Sequence, residues 1–222
     1  MEVCALLLLL LIPAPGSQAQ QDLSGKVFVF PEKNSLNYVI LKANITRPLE
    51  NATVCVSNYS DLNARSGIFS LSTPGKYNAF VISRDATANV YYISIDQQSV
   101  SFKGVVVGLD WTYTCVAWES QTGVVRLWVN NKLYPRKVAG RGSSIAPSAF
   151  VVLGQDRDAF GGMFLSFAGE ISDVNMWDYA FTWDDINGNS FNSFRRYARK
   201  VISWTALRYE IKGNVLLQPT NS

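Results

Sequence analysis

Val124-Val-Arg-Leu-Trp-Val-Asn-Asn-Lys-Leu133 sets an Asn-Asn pair between two apolar segments. A two-residue hairpin turn needs positive φ at both central positions, which Asn tolerates, so the stretch reads as a tight β-hairpin. Just upstream, Tyr113–Glu119 is a second run rich in β-branched and aromatic residues. Strand thus follows strand here with only a short connection between them.

The same rhythm continues in both directions. Strand-like runs occupy Lys26–Phe30, Tyr38–Leu41, Ala52–Ser57, Gly67–Leu71, Asn78–Ser83, Asn89–Ile95, Phe150–Leu153, Gly169–Trp177 and Val215–Leu217, separated by polar or Gly/Asn/Asp turns. One helix start stands out, at Thr182-Trp-Asp-Asp185, where a hydroxyl can cap the first turn and acids favour its positive end. Gly188 and Asn189 keep that helix short. With no βαβ alternation, the expected fold is all-β: a two-sheet jelly-roll sandwich with one short helix. No linker or internal repeat divides it, so one domain is the economical organisation. Trp118, Trp128 and Trp177 fall in strand-like segments and, with Trp204, are expected in the core, with Trp111 and Trp183 nearer the surface.

The chain has 222 residues, a formal charge of +3 and no histidine. Ser/His/Asp and Cys/His triads and His-based metal sites are therefore excluded, and the charge is too small to make nucleic acid the main partner. Met1–Ala19 has an apolar run from Val3 to Ile12, then Pro and Gly, then small residues at Ser17 and Ala19, although Glu2 stands where a basic residue is usual. This reads as a secretory signal peptide over residues 1–19, leaving a domain over residues 20–222 that is secreted to the extracellular space. The run is too short for a membrane span. Removing the leader removes Cys4 and leaves Cys55 and Cys115. An even count in an oxidising compartment suggests one disulfide, with two buried free thiols as the alternative. Asn44-Ile-Thr46, Asn51-Ala-Thr53 and Asn58-Tyr-Ser60 are acceptor sequons, of which Asn51 and Asn58 bracket the strand carrying Cys55.

Tyr113-Thr-Cys-Val-Ala-Trp-Glu-Ser120 resembles the signature of the short pentraxin family, the C-reactive protein and serum amyloid P type, in its Cys, Trp, Glu and Ser. Lys26-Val-Phe-Val-Phe-Pro31, Leu153-Gly-Gln-Asp-Arg-Asp-Ala-Phe-Gly-Gly162, Asp173-Val-Asn-Met-Trp-Asp178 and Trp204-Thr-Ala-Leu-Arg-Tyr-Glu210 extend the resemblance over residues 20–219. It implies a flattened jelly roll assembled with copies of itself into a cyclic homo-oligomer, usually a pentamer. It also places the family's intrachain disulfide on Cys55 and Cys115.

The resemblance further implies calcium, which takes six to eight oxygens and holds phosphate or carbohydrate ligands on one face. On this chain the ligand positions fall on Asn78, Asp156, the Arg157 main-chain carbonyl and Asp158. Tyr77 replaces a family carboxylate, and Met163-Phe-Leu-Ser-Phe-Ala168 is shorter than the family's loop and carries no acid. The expectation is one weak calcium at most, of roughly 10⁻⁴–10⁻³ M affinity, the second site having lost its ligands. The family's choline-packing aromatic falls on Ser83 and its ammonium-pairing acid near Gln98 or Ser99, with Tyr91 or Tyr92 as substitutes for the lost ring.

Two cationic features lie outside that pattern. Arg157 could contact an anionic ligand directly. Phe194-Arg-Arg-Tyr-Ala-Arg-Lys200 offers Arg195, Arg196, Arg199 and Lys200 to a polysaccharide or a protein. The leading expectation is a secreted, lectin-like pattern-recognition protein of innate immunity or acute-phase type. A calcium-independent module using its basic surface is the alternative. A jelly-roll glycosidase is disfavoured, because Glu170 and Asp173 are at an odd spacing and cannot share one strand face.

Overall fold

The structure is a computed structural model that describes residues 19–157, 163–187 and 199–220. In chain order the strands are β1 Lys26–Phe30, β2 Tyr38–Leu41, β3 Asn51–Tyr59, β4 Arg65–Thr73, β5 Lys76–Asp85, β6 Val90–Ile95, β7 Gln98–Lys103, β8 Thr112–Glu119 and β9 Val124–Val129. They continue as β10 Lys132–Leu133, β11 Lys137–Val138, β12 Phe150–Leu153, β13 Asp156–Arg157, β14 Met163–Phe164 and β15 Gly169–Trp177. After the helix α1 Trp183–Asn187 come β16 Lys200–Ile202, a 3₁₀ turn Trp204–Ala206, β17 Tyr209–Lys212 and β18 Leu216–Pro219.

Two antiparallel sheets face each other. One runs β10-β9-β8-β3-β15-β1-β18, with β11 on β9 and β16 on β15; the other runs β17-β2-β12-β4-β5-β6-β7. Period-two alternation sorts the side chains. On β3 and β8, Val54, Val56, Val116 and Trp118 enter the interior between the sheets, where Phe28, Phe69, Phe80, Ile82 and Ile93 meet them. Their neighbours Cys55, Cys115 and Ala117 point the other way, into a smaller cluster with Trp128, Trp177, Phe181 and Ile186. Cys55 and Cys115 stand directly opposite in the register, with Cα atoms 4.1 Å apart, and they form the disulfide.

Asn130 and Asn131 both have positive φ, 48° and 65°, and Lys132 pairs with Val129, so the tight hairpin forms as expected. α1 begins where Thr182 places it. The Asp185 amide donates to Thr182 Oγ1, and the Thr182 amide donates back to Asp185 Oδ2 at 2.6 Å, a reciprocal cap. Among the described residues no helix is long and apolar enough to cross a membrane.

The hairpin between β6 and β7 was not expected from the sequence. Asp96 and Gln97 take positive φ of 46° and 67° to make its turn. Asp96 accepts from Ser143 Oγ at 2.5 Å and from Lys76 Nζ at 2.9 Å. The Ser143 bond first, and Lys76 next, hold its carboxyl below the ordinary range. A depressed folded pKa gives stability above the unfolded value, and that stability is lost as pH falls through the folded one. Asp96→Asn is expected to cost about 1 kcal/mol at neutral pH, with the gap to wild type closing below pH ~4. Urea unfolding at both pH values checks this.

Candidate metal loop and ligand face

The residues expected to hold a cation sit where β12 ends. Gly154 turns the chain there with φ 81°, and a Cβ on it would lie 2.3 Å from the Phe30 ring. Gln155 is fully buried and anchors the loop at its base. Its Nε2 donates to the main-chain oxygens of Asn34 at 2.7 Å and Asn37 at 3.1 Å, and its Oε1 accepts from Ser166 Oγ at 3.1 Å. β13 then packs over β4 and β5. The approach is close enough that a Cβ on Gly67 would sit 2.8 Å from the Asp156 amide nitrogen. Ser70 Oγ lies 3.5 Å from Asp156 Oδ1.

Asn78 lies on β5, one of the two strands that β13 packs over, in positive φ of 52°. Its Oδ1 is buried and makes no hydrogen bond among the described residues. An acceptor hidden from water without a donor costs on the order of 1–3 kcal/mol, and a bound cation would remove that cost. Tyr77, beside it, shows a 39% exposed ring where a second carboxylate would be needed. Among the described residues no three His, Cys, Asp or Glu side chains gather into a metal-sized group. Asp158 lies outside the described residues, and of Arg157 the structure gives only the main chain. Asn78 and Asp156 thus fit a cation ligand set of low charge.

β5 lies under the loop strand, and β6 and β7 continue the sheet beyond it. Ser83 pairs with Tyr92, which pairs with Ser101; Ser94 pairs with Ser99. Tyr91 is buried, with its hydroxyl 3.3 Å from Thr114 Oγ1, and so cannot present a ring to a ligand. Burial raises its pKa despite the Thr114 bond. Tyr92 does face outward, but the Arg65 guanidinium carbon lies 4.0 Å over its ring. Gln98 Oε1 accepts from the Gly140 amide at 3.1 Å.

The profile of the Pentaxin family matches residues 26–219. The chain is a pentraxin. It is 42% identical to the C-reactive protein of Xenopus laevis over 92% of this chain and 87% of that one. It is 39% identical to the C-reactive protein of Sus scrofa, over 99% and 98%. A crystal structure of a native heptameric SAP-like pentraxin from Limulus polyphemus superposes with a TM-score of 0.73 at 21% identity, covering 90% of this chain and 97% of that one. Pentraxins are non-enzymatic recognition proteins, and this chain's fold is theirs.

The other residues singled out from the sequence separate by position. Arg195 and Arg196 lie outside the described residues. Arg199 is held by Asp178, with Nε 3.0 Å from Oδ2, and reaches Thr46 Oγ1 at 3.0 Å. Arg47 joins the same carboxylate at 3.3 Å. Lys200 Nζ donates to Asn175 Oδ1 at 3.3 Å. Arg199 therefore works within the fold, closing the β15–β16 corner. The sequons differ as sharply: Asn44 is exposed, Asn51 is half-buried at the start of β3, and Asn58 is buried at 2% exposure. Thr53, the hydroxyl of the second sequon, is fully buried, donating to the Tyr179 carbonyl and accepting from the Phe181 amide. Arg65 on Tyr92 has no sequence signal, because the pairing depends on a register across three strands.

Proposed function

We propose that this pentraxin is a secreted, ring-forming recognition protein whose β4–β5 face holds one weak calcium and, through it, phosphate- or carbohydrate-bearing surface ligands. Asn78, Asp156, the Arg157 carbonyl and Asp158 would supply the oxygens. The observation that carries the reading is the buried Asn78 Oδ1, without a hydrogen-bond partner among the described residues, on the strand β5 that the Asp156-bearing β13 packs against. A set with only two carboxylates favours weak binding, and the loop over residues 163–168 offers no acid for a second ion.

Residues 1–19 serve as the leader and residues 20–222 as the mature domain in this reading. A disulfide suits an oxidising compartment. Asn44, exposed ahead of an exposed Thr46, is the glycan acceptor, and buried Asn58 is not. The heptameric neighbour supports cyclic self-association, and a pentamer is the usual family number. A ring compensates for weak sites, since simultaneous engagement raises avidity by about 10² or more. Arg65 on Tyr92 favours anionic ligands over choline, because it puts a cation where a quaternary ammonium would need a bare ring.

Retention on a surface densely coated with phosphate monoesters tests this. In millimolar calcium the protein should be held, and it should be released by EDTA. Asp156→Asn should abolish retention, and diluting the coating should weaken it steeply. Equal retention in EDTA and by the Asp156→Asn protein would overturn the reading.

A further inference from the structure

At the far end of β2 from the metal loop lies a cleft of about 460 Å³. β2 runs antiparallel to β12, with Val39 opposite Leu153 and Leu41 opposite Val151. The metal loop therefore follows the Val39 end, whereas Lys42 leaves the other. Main-chain bonds tie the walls of the cleft together, from the Lys42 amide to the Arg208 carbonyl at 2.9 Å and from the Asn44 amide to the Val201 carbonyl at 2.7 Å.

Residues 42–44 and 200–208 bring three exposed cationic residues to this concavity, Lys42, Lys200 and Arg208, of which Lys200 also bonds Asn175 through its Nζ. No Asp or Glu lines it among the described residues. The adjacent carboxylates are engaged elsewhere, Asp178 by Arg47 and Arg199 and Glu210 by Lys212. The Lys212 bond is the main cause that lowers the Glu210 pKa, with Lys42 a lesser one. Like charges converging on a low-dielectric wall raise the local positive potential and draw in anions. Gln20, Asn44 and Ser203 add neutral hydrogen-bonding groups suited to sugar hydroxyls. No aromatic residue among the described ones lines the cleft, so the stacking platform that single-stranded nucleic acid uses is missing.

From this we infer that the cleft between residues 42–44 and 200–208 is a second, calcium-independent binding site, and that its ligand is a sulfated or carboxylated polysaccharide. The site shares no residue with the metal loop, so it stands or falls separately from the calcium reading. Asn44 lies in its wall, and a glycan there would partly cover the mouth.

The test uses the full secreted protein with its N-glycans trimmed, titrated with a heparin-derived octasaccharide in EDTA at several salt concentrations. Binding should persist in EDTA and weaken steeply with salt. Lys42→Gln/Arg208→Gln should lose about tenfold in affinity and show a shallower salt dependence. The pair Lys103→Gln/Lys137→Gln removes the same charge from a cleft beside β7 and should stay within about twofold of wild type. Lys42→Arg should bind like wild type. No binding in EDTA, undiminished binding by the Lys42/Arg208 variant, or an equal loss in the Lys103/Lys137 variant would each overturn the inference.

Discussion

Replacing Cys55 and Cys115 together with alanine is expected to lower the unfolding free energy by about 4 kcal/mol. The bond closes a loop of 60 residues, and chain-entropy reasoning gives that magnitude from the freedom restored to the unfolded state. The folded state adds to the loss. Both sulfurs are buried in the cluster with Trp128 and Trp177, so deleting them also leaves space under the segment that α1 roofs. The two strands remain hydrogen-bonded from Asn51 opposite Glu119 to Asn58 opposite Thr112, so the variant should keep its sheet and lose stability rather than topology. Urea unfolding of the two proteins measures the difference. A loss below about 1 kcal/mol would mean that the unfolded chain is already restrained without the bond.

Gln155→Leu should cost about 3 kcal/mol and remove calcium binding, although the residue is not a metal ligand. Leucine nearly conserves the volume, so the effect comes from hydrogen bonds. The Asn34 and Asn37 carbonyls lose the Nε2 donor, and buried Ser166 loses its acceptor. Those bonds tie the residue before Asp156 to the segment ahead of β2 and to the return of the chain into β15. Thermal unfolding reads the cost. Hydrogen exchange should show faster opening at residues 34–37 and 165–168, with the β3–β8 pair unchanged.

The sandwich was legible because its interior strands are short apolar runs rich in β-branched and aromatic residues, bounded by turn residues. β1, β2, β9, β12 and β15 occupy the bounds that their apolar runs suggest. The Asn130-Asn131 turn and the Thr182 cap declare themselves through residues whose local chemistry has few other uses. β7, β16 and β17 escaped notice, as did the two-residue strands β11, β13 and β14. Gln98-Ser-Val-Ser-Phe-Lys103 is an edge strand with mostly partial burial, and β16 and β17 are too short or too polar to show a period. The four tryptophans assigned to the core are buried there, and Trp111 and Trp183 are exposed at 38% and 47%. The site was legible only as positions in a motif. That Asn78 carries an oxygen without a partner among the described residues, that Gln155 pins the loop, and that Lys42, Lys200 and Arg208 share one cleft all depend on strand register.

Calorimetric titration of calcium into the purified secreted chain addresses the metal face most directly. One ion per chain, bound at roughly 10⁻⁴–10⁻³ M and lost in both Asp156→Asn and Asp158→Asn, is the expected result. The Asn78→Gly protein, which keeps the positive φ but removes the oxygen, should bind more weakly still. Two ions per chain, micromolar affinity, binding that survives the Asp156 and Asp158 substitutions, or no binding by the folded protein would contradict the single weak site on which metal-mediated recognition rests.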